Sequence, residues 1–280
     1  MITVSGVDFN QNDIWPSGSI ESIIVQQIHE DPNVHQYRSI DELSFEVNLR
    51  KNIVDSSKAL NQSQLEFEIF ENARCNPQYW ELTSTGGFKL KPDALPSEAI
   101  KDIYINSLEY ATECATAILI IYYHAVLNSI DEDLFDHLFQ DLYLYSWHYD
   151  TDLRLQSIQT DHLLPGDVVY FKNPDVSSRT PWLRGENAVV LEDGRFFGHG
   201  LGIRSSEQII AILNKNREAD SERSAFQENT VIRPSFRYLA RLTQLPRRYK
   251  VQHTVIHHNQ TSISCNQYLY YLNQLYSQKI

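Results

Sequence analysis

The stretch SLEYATECATAILIIYYHAVLNSI, residues 107–130, sets the architecture of this chain. Its apolar residues fall on nearly every side of a helix rather than along one stripe, and a helix of that kind belongs inside a core. Polar Thr112 and Glu113 come immediately before Cys114, and the apolar run ATAILII (115–121) follows it. Cys114 therefore stands at the mouth of a buried helix. There, unpaired amide N–H groups and the positive end of the helix dipole favour a thiolate, the reactive form of cysteine. Two readings are open at this point: a nucleophile, or a small hydrophobe packed in a helix.

Around this helix the totals set limits. A chain of 280 residues that is 42% hydrophobic fits one large domain or two small ones with a real core. A formal net charge of −12 argues against nucleic acid or an anionic membrane as the main partner, since either needs a basic face. A lysine-bearing partner suits it better. Cys75, Cys114 and Cys265 form no close pair and no metal-type spacing, so neither a disulfide framework nor a metal site is expected. The N-terminal residues MITVSGVDFNQNDIW lack the pattern of a secretory signal, and the longest apolar run is far short of a membrane span, so a soluble protein made in the cytoplasm is expected.

Upstream of the central helix, the spacing predicts a helix over 19–30, a second opened by a capping-box pattern at Ser39 and running to about Leu60, and a hairpin over 79–90 turning at Gly86-Gly87. Pro96 begins a further helix to about Asn106. Downstream, Ser129-Ile130-Asp131-Glu132 repeats the capping-box pattern and opens a helix ending near Leu138, and residues 142–147 alternate as a strand does. Strands then follow in 163–174 and 184–203, with a capped helix from Ser205 to about Arg217 and a polar loop over 218–230. Helices first, then a cysteine-bearing helix, then a run of strands predicts an α+β fold in which an antiparallel sheet packs on the cysteine helix. Residues 1–245 form the main domain. From Pro246 onward the chain is rich in Tyr, Gln, Asn and His, carries Arg247, Arg248, Lys250 and Lys279, and has no acid. It reads as a partly ordered appendage, with a docked helix as the alternative.

A thiol nucleophile needs a neighbour that takes its proton and something that orients that neighbour. Residues 192–195, EDGR, form a hairpin turn between strands 187–191 and 195–199. Glu186 opens the first strand and His199 closes the second, which makes them neighbours at one end of the sheet. A solvated strand end for Glu186 and a turn histidine for His199 are the plain structural readings. It is the joint placement with Cys114 that points to chemistry.

The segments NPQYW (76–80), TECATAILIIYY (112–123), PGDVVYFKNP (165–174), RGEN (184–187) and FFGHGLGI (196–203) resemble, in order, the spore-coat protein-glutamine γ-glutamyltransferases of Bacillus-type bacteria. The resemblance implies a compact papain-like or NlpC-like thiol-enzyme fold, no calcium requirement and no cofactor. It also implies ε-(γ-glutamyl)lysine isopeptide bonds between coat proteins, which serve as glutamine and lysine donors. Cys114 is then the nucleophile and Glu186 and His199 its partners, with Glu113 beside it. Synthesis in the mother cell and final residence in the spore coat follow from the same likeness, and the oligomeric state stays open, a monomer included. NlpC-type peptidases place a catalytic histidine where this chain has Glu186, which argues against a cell-wall amidase or peptidase; a coat component with a retired thiol site is the third reading.

In the transferase reading, water competes with lysine for the acyl group, so the site must be dry. Among 4 Trp, 16 Tyr and 12 Phe, the candidates for its aromatic lining are Phe67, Trp147, Tyr170 and Trp182. Leu183 separates Trp182 from Arg184, where the family's tryptophan comes one residue closer. Intrinsic pKa favours His199 over Glu186 for proton exchange with the thiol. The charge of Glu113 opposes a thiolate, and a protonated His199 is the expected offset. The tail glutamines Gln252, Gln260, Gln267, Gln274 and Gln278, with Lys250 and Lys279, form a candidate self-crosslinking substrate.

Overall fold

The computed structural model describes residues 1–10, 14–243 and 254–277. The chain opens with β1 (Ile2–Val4), β2 (Val7–Asp8), α1 (Ile20–Glu30) and β3 (His35–Tyr37), and continues through α2 (Ile40–Gln62), β4 (Glu66–Phe67), β5 (Trp80–Leu82) and β6 (Phe88–Leu90). Next come α3 (Pro96–Ile105), β7 (Ala111–Thr112), α4 (Cys114–Leu127), α5 (Glu132–Leu138) and β8 (Tyr143–Leu144). The second half holds β9 (Gln156–Gln159), β10 (Val168–Lys172), β11 (Gly185–Val190), β12 (Phe196–Gly198), β13 (Gly202–Arg204), α6 (Ser206–Asn214), β14 (Phe226–Arg233), α7 (Phe236–Leu242) and α8 (Cys265–Ser277).

Local chemistry starts and stops these elements. Ser19 and Ser39 accept the amides of Ser22 and Glu42 to cap α1 and α2, and Pro96 occupies the first turn of α3, where a missing N–H costs nothing. Gly86 supplies the positive φ of +84° that turns β5 into β6.

The main sheet has the order β13-β12-β11-β10-β14-β9 and is antiparallel throughout. Its side chains alternate between two cores, as the period of a strand requires. Val168, Val189 and Phe197 join the cluster built on Ile118, Ile121 and Tyr122 of α4, while Val169, Phe171 and Ala188 face Ile209 and Leu213 of α6. Every residue of α4 is buried except His124. Each fully buried Ile or Leu there contributes about 1.5–3 kcal/mol relative to exposure, so the helix is the centre of the fold energetically as well as spatially. This is the expected arrangement of a cysteine helix on an antiparallel sheet.

The scaffold is tied together by Arg50 of α2. Its guanidinium, wholly buried, donates to Glu46 Oε1, Asp167 Oδ1 and the Pro165 carbonyl, each at 2.9 Å, and lies 4.5 Å from the centre of the Phe236 ring. Asp167 belongs to the ProGlyAsp turn that delivers β10, so one cation fixes α2, that turn and α7.

Several expectations are corrected. The polar stretch 218–230 is not all loop: Phe226–Arg233 is β14, which pairs with β10 on one side and β9 on the other. Its backbone is held by two neighbours, so polar Gln227, Glu228 and Asn229 do not prevent a strand. Residues 142–147 make only the two-residue β8, because Ser146 turns the chain at φ +48°. The cap of α5 is Asp131, not Ser129; Ser129 donates instead to the Ala125 carbonyl. Of the tail, Thr254–Ser277 is ordered and ends in the docked helix α8, with Cys265, Tyr268 and Leu272 buried. Gln252, Gln278 and all four tail cations lie outside the described residues.

Candidate active site

Cys114 is the first residue of α4 and is 0% exposed. The preceding residue, Glu113, is the helix N-cap, and its carboxylate accepts from the Ala115 amide (2.9 Å), the Thr116 amide (2.6 Å) and the Thr116 hydroxyl (2.8 Å). The Thr116 hydroxyl in turn accepts the Ser146 amide at 2.8 Å. A buried carboxylate at a helix start is stabilised by these donors and by the dipole. Burial still wins and pushes the Glu113 pKa above the ordinary carboxylate value. The Cys114 sulfur approaches Glu113 Oε2 at 3.8 Å.

Asn187 completes the first contacts of the thiol. Its side-chain amide donates to Cys114 Sγ at 3.3 Å and to the Ile263 carbonyl at 2.9 Å. Asn187 lies within the quoted RGEN segment, but nothing in its spacing distinguishes it from a strand residue; being next to Glu186 was the one available signal.

Glu186 is buried at the start of β11; among the described residues its Oε1 has no hydrogen-bond partner, and the His199 backbone N–H lies close enough to the carboxyl to stabilise its charge. Burial, and then the charge of Glu113, raise its pKa well above the ordinary value. Burial also raises the Cys114 pKa, and negative charge on Glu186 and then on Glu113 adds to the effect. A thiol and a carboxyl that both hold protons more tightly than usual are matched for exchange.

His199 follows β12 and is also buried. Its Nε2 lies 3.2 Å from the carbonyl oxygens of both Glu66 and Thr112, so that nitrogen carries the proton. Burial lowers its pKa to about 4. The imidazole is therefore neutral at pH 7, and the expected cationic offset for Glu113 is absent; backbone and hydroxyl donors at the helix start take that part. His199 instead bridges β4 and β7, a two-strand parallel pair in which Phe67 lies beside Thr112.

The candidate aromatic residues divide. Trp147 is wholly buried and donates Nε1–H to the Ile263 carbonyl at 3.0 Å. Tyr170 donates its hydroxyl to the Ser262 carbonyl at 2.9 Å. Phe67 sits 5.9 Å from the His199 ring, centre to centre. Trp182 is half-buried in the short turn Pro181–Leu183, and none of the hydrogen bonds described for Cys114, Glu113, Glu186 or His199 involves it. Among the described residues, no helix is long and apolar enough to cross a membrane, and no cluster of His, Cys, Asp and Glu has the form of a metal site.

The chain that carries this site is similar to a known group of proteins. Residues 1–243 match the protein-glutamine gamma-glutamyltransferase family. The chain is 50% identical over 278 residues to the protein-glutamine gamma-glutamyltransferase of Halalkalibacterium halodurans, covering 98% of each. It is 44% identical over 229 residues to that of Bacillus cereus, covering 82% of this chain and 83% of the relative. Among solved structures it is similar to the transglutaminase from Geobacillus stearothermophilus without its C-terminal extension, at 47% identity and a TM-score of 0.71, covering 74% of this chain and all of that one. With a match over most of its length and half its residues shared with one relative, this chain belongs to the protein-glutamine gamma-glutamyltransferase family.

Proposed function

We propose that this transferase joins spore-coat proteins through ε-(γ-glutamyl)lysine bonds, using a thioester on Cys114 and releasing ammonia. The observation that carries the reading is a wholly buried thiol at a helix start, within reach of the Asn187 amide and the Glu113 carboxyl and under the electrostatic influence of buried Glu186. Cys114 Sγ attacks the γ-carbonyl of a protein glutamine; an S–C bond forms, the C–N bond of the carboxamide breaks, and the nitrogen leaves as ammonia with the thiol proton. A lysine Nζ then attacks the thioester carbonyl; the N–C bond forms, the S–C bond breaks, and the lysine proton returns to the thiolate. Exclusion of water favours lysine over hydrolysis in the second half.

For the proton, contacts favour Glu186 over His199, the reverse of the order that intrinsic pKa suggests. Glu186 has one oxygen without a hydrogen-bond partner among the described residues and a raised pKa, whereas the His199 Nε2–H is committed to two carbonyls. In this reading Glu113 and His199 are positioning residues. Glu113 holds the start of α4, and His199 holds β4 against β7.

The test is incorporation of a fluorescent amine into a glutamine-donor protein, with deamidation of the donor glutamine measured in parallel by mass spectrometry, for wild type and Cys114→Ala, Glu186→Gln and His199→Gln. The reading expects no product from Cys114→Ala and a larger loss in Glu186→Gln than in His199→Gln. Full activity in Cys114→Ala would overturn it, and donor protein deamidated at its glutamine as the main product would replace it with a thiol amidase. We include activity without calcium in the proposal: incorporation in EDTA should equal that in added calcium. Partner proteins and the destination in the coat, after synthesis in the mother cell, are tested by comparing crosslinked coat extracts from spores with and without the Cys114→Ala allele.

A further inference from the structure

We propose that residues 254–264 occupy, within the same molecule, the groove that takes the glutamine-bearing polypeptide, so that the chain closes over its own thiol until this segment is displaced. The proposal rests on the transferase reading for the nature of the substrate, but the closure itself does not.

Three buried side-chain donors around Cys114 converge on two consecutive backbone carbonyls of the tail. Tyr170 takes Ser262, while Trp147 and Asn187 take Ile263. The Ser262 amide points the other way and donates to Glu113 Oε2 at 3.4 Å. Side chains that read backbone carbonyls rather than a particular residue type are what a site needs to hold a polypeptide beside its nucleophile. Without the tail, the Trp147 indole and Tyr170 hydroxyl would stand next to the thiol without these partners, available to another chain.

What the segment places at the thiol identifies it as an occupant rather than a substrate. The buried Ser262 hydroxyl lies beside the Cys114 sulfur, where it favours the thiolate. Ser262 holds φ +60°, a left-handed conformation uncommon for serine. The nearby carboxamide of Gln260 is turned to Tyr271, whose hydroxyl donates to its Oε1 at 3.1 Å. The groove is thus filled by a segment that presents no glutamine to the thiol, which removes Gln260 as a self-crosslinking donor in this conformation.

The segment is anchored on both sides of the thiol. Upstream, His258 accepts from the Tyr145 hydroxyl through its carbonyl, and its Nε2 lies 3.0 Å from Ser146 Oγ. Downstream, Asn266 Oδ1 accepts from Ser157 Oγ at 2.7 Å, and α8 buries Tyr268 and Leu272. The family match ends at residue 243, and the solved relative was determined without its extension, so the shared fold lies outside the cover.

The test uses full-length Ser262→Pro and Tyr268→Ala. Proline removes the donating amide and cannot adopt φ +60°; the alanine weakens the anchor of α8. Retained fold is checked by thermal unfolding. Iodoacetamide labelling of Cys114, located by peptide mass spectrometry, reads closure without requiring catalysis. The expected result is labelling about tenfold faster or more in both variants, since the apparent rate scales with the open fraction. Amine incorporation should rise in parallel. The synthetic peptide HHNQTSIS, residues 257–264, should inhibit Ser262→Pro competitively against the glutamine donor. Folded variants labelled at the wild-type rate would overturn the closure, and a peptide without competitive inhibition would overturn the assignment of the groove. Faster labelling with no incorporation by any variant would leave the closure standing and sink the transferase reading instead.

Discussion

The side-chain amide of Asn187 stands 3.3 Å from the sulfur of Cys114 and is the neutral donor that reaches the thiol from β11. A thiolate would gain more from this donor than a thiol does, because hydrogen bonds to charged groups are stronger. Asn187→Leu, of similar shape, should lower kcat/KM by about 10- to 100-fold, corresponding to about 1.5–3 kcal/mol. Because Asn187 also holds the Ile263 carbonyl, the measurement belongs in a Ser262→Pro background. Unchanged activity there would limit Asn187 to holding the tail.

Gly198 offers a way to move Glu186 without altering it. A methyl group at Gly198 would meet Glu186 Oε1 at 2.7 Å and Cγ at 2.8 Å. Gly198→Ala should therefore displace the carboxyl at a stability cost of about 1–3 kcal/mol, as for other overpacked sites. Amine incorporation should fall by about 100-fold, the scale of a misplacement near 1 Å. A folded variant with wild-type activity would argue that Glu186 has no part in the proton exchange.

His199 predicts an acid-side loss of stability. Its pKa is about 4 in the folded chain against an ordinary 6.5. Between those values the unfolded chain binds a proton that the folded chain does not, so stability rises with pH across this window and is lost as pH falls from about 6.5 toward 4. The full contribution is about 3 kcal/mol. Urea unfolding at pH 7 and pH 5 should show a steeper change for wild type than for His199→Gln, which keeps an N–H donor but cannot take a proton. Equal slopes would mean that the imidazole is not held neutral.

Arg50 and Asp167 form an ion pair with both side chains 0% exposed. Removing the Asp167 carboxylate leaves the buried guanidinium with Glu46 as its remaining counter-charge and opens a cavity, so Asp167→Ala should cost about 3 kcal/mol in urea unfolding. The same change should shift amine incorporation far less per surviving folded molecule. Replacing both with apolar residues of similar volume, Arg50→Met with Asp167→Leu, should recover much of the loss.

The parts of the fold that were legible in the sequence are those with a period or a cap. The apolar run after Cys114, the serines before α1 and α2, and the glycine turn between β11 and β12 each carry a local physical signal. Glu186 and His199 were placed at one end of the sheet by hairpin connectivity alone. What connectivity does not give is the direction of the imidazole, which is set by carbonyls of β4 and β7. Those strands are two residues each, too short to show any alternation. Asn187 was hidden for a similar reason, since one polar residue in a strand has no period. The tail was hidden because its contacts at the thiol are made by backbone amides and carbonyls, groups common to every sequence; composition described its surface and not its attachment.

The segment that covers Cys114 also sets an order of events in time. Cys114, Glu186, Asn187 and His199, and β14, which completes the sheet, are all translated before Ser262. At roughly 5–20 residues per second, the ribosome needs about 1.5–6 s to go from the end of β14 to Ser262. The residues of the thiol site thus precede those of their cover in synthesis, so a chain that stopped short of Ser262 would hold the whole site and none of the contacts that cover it.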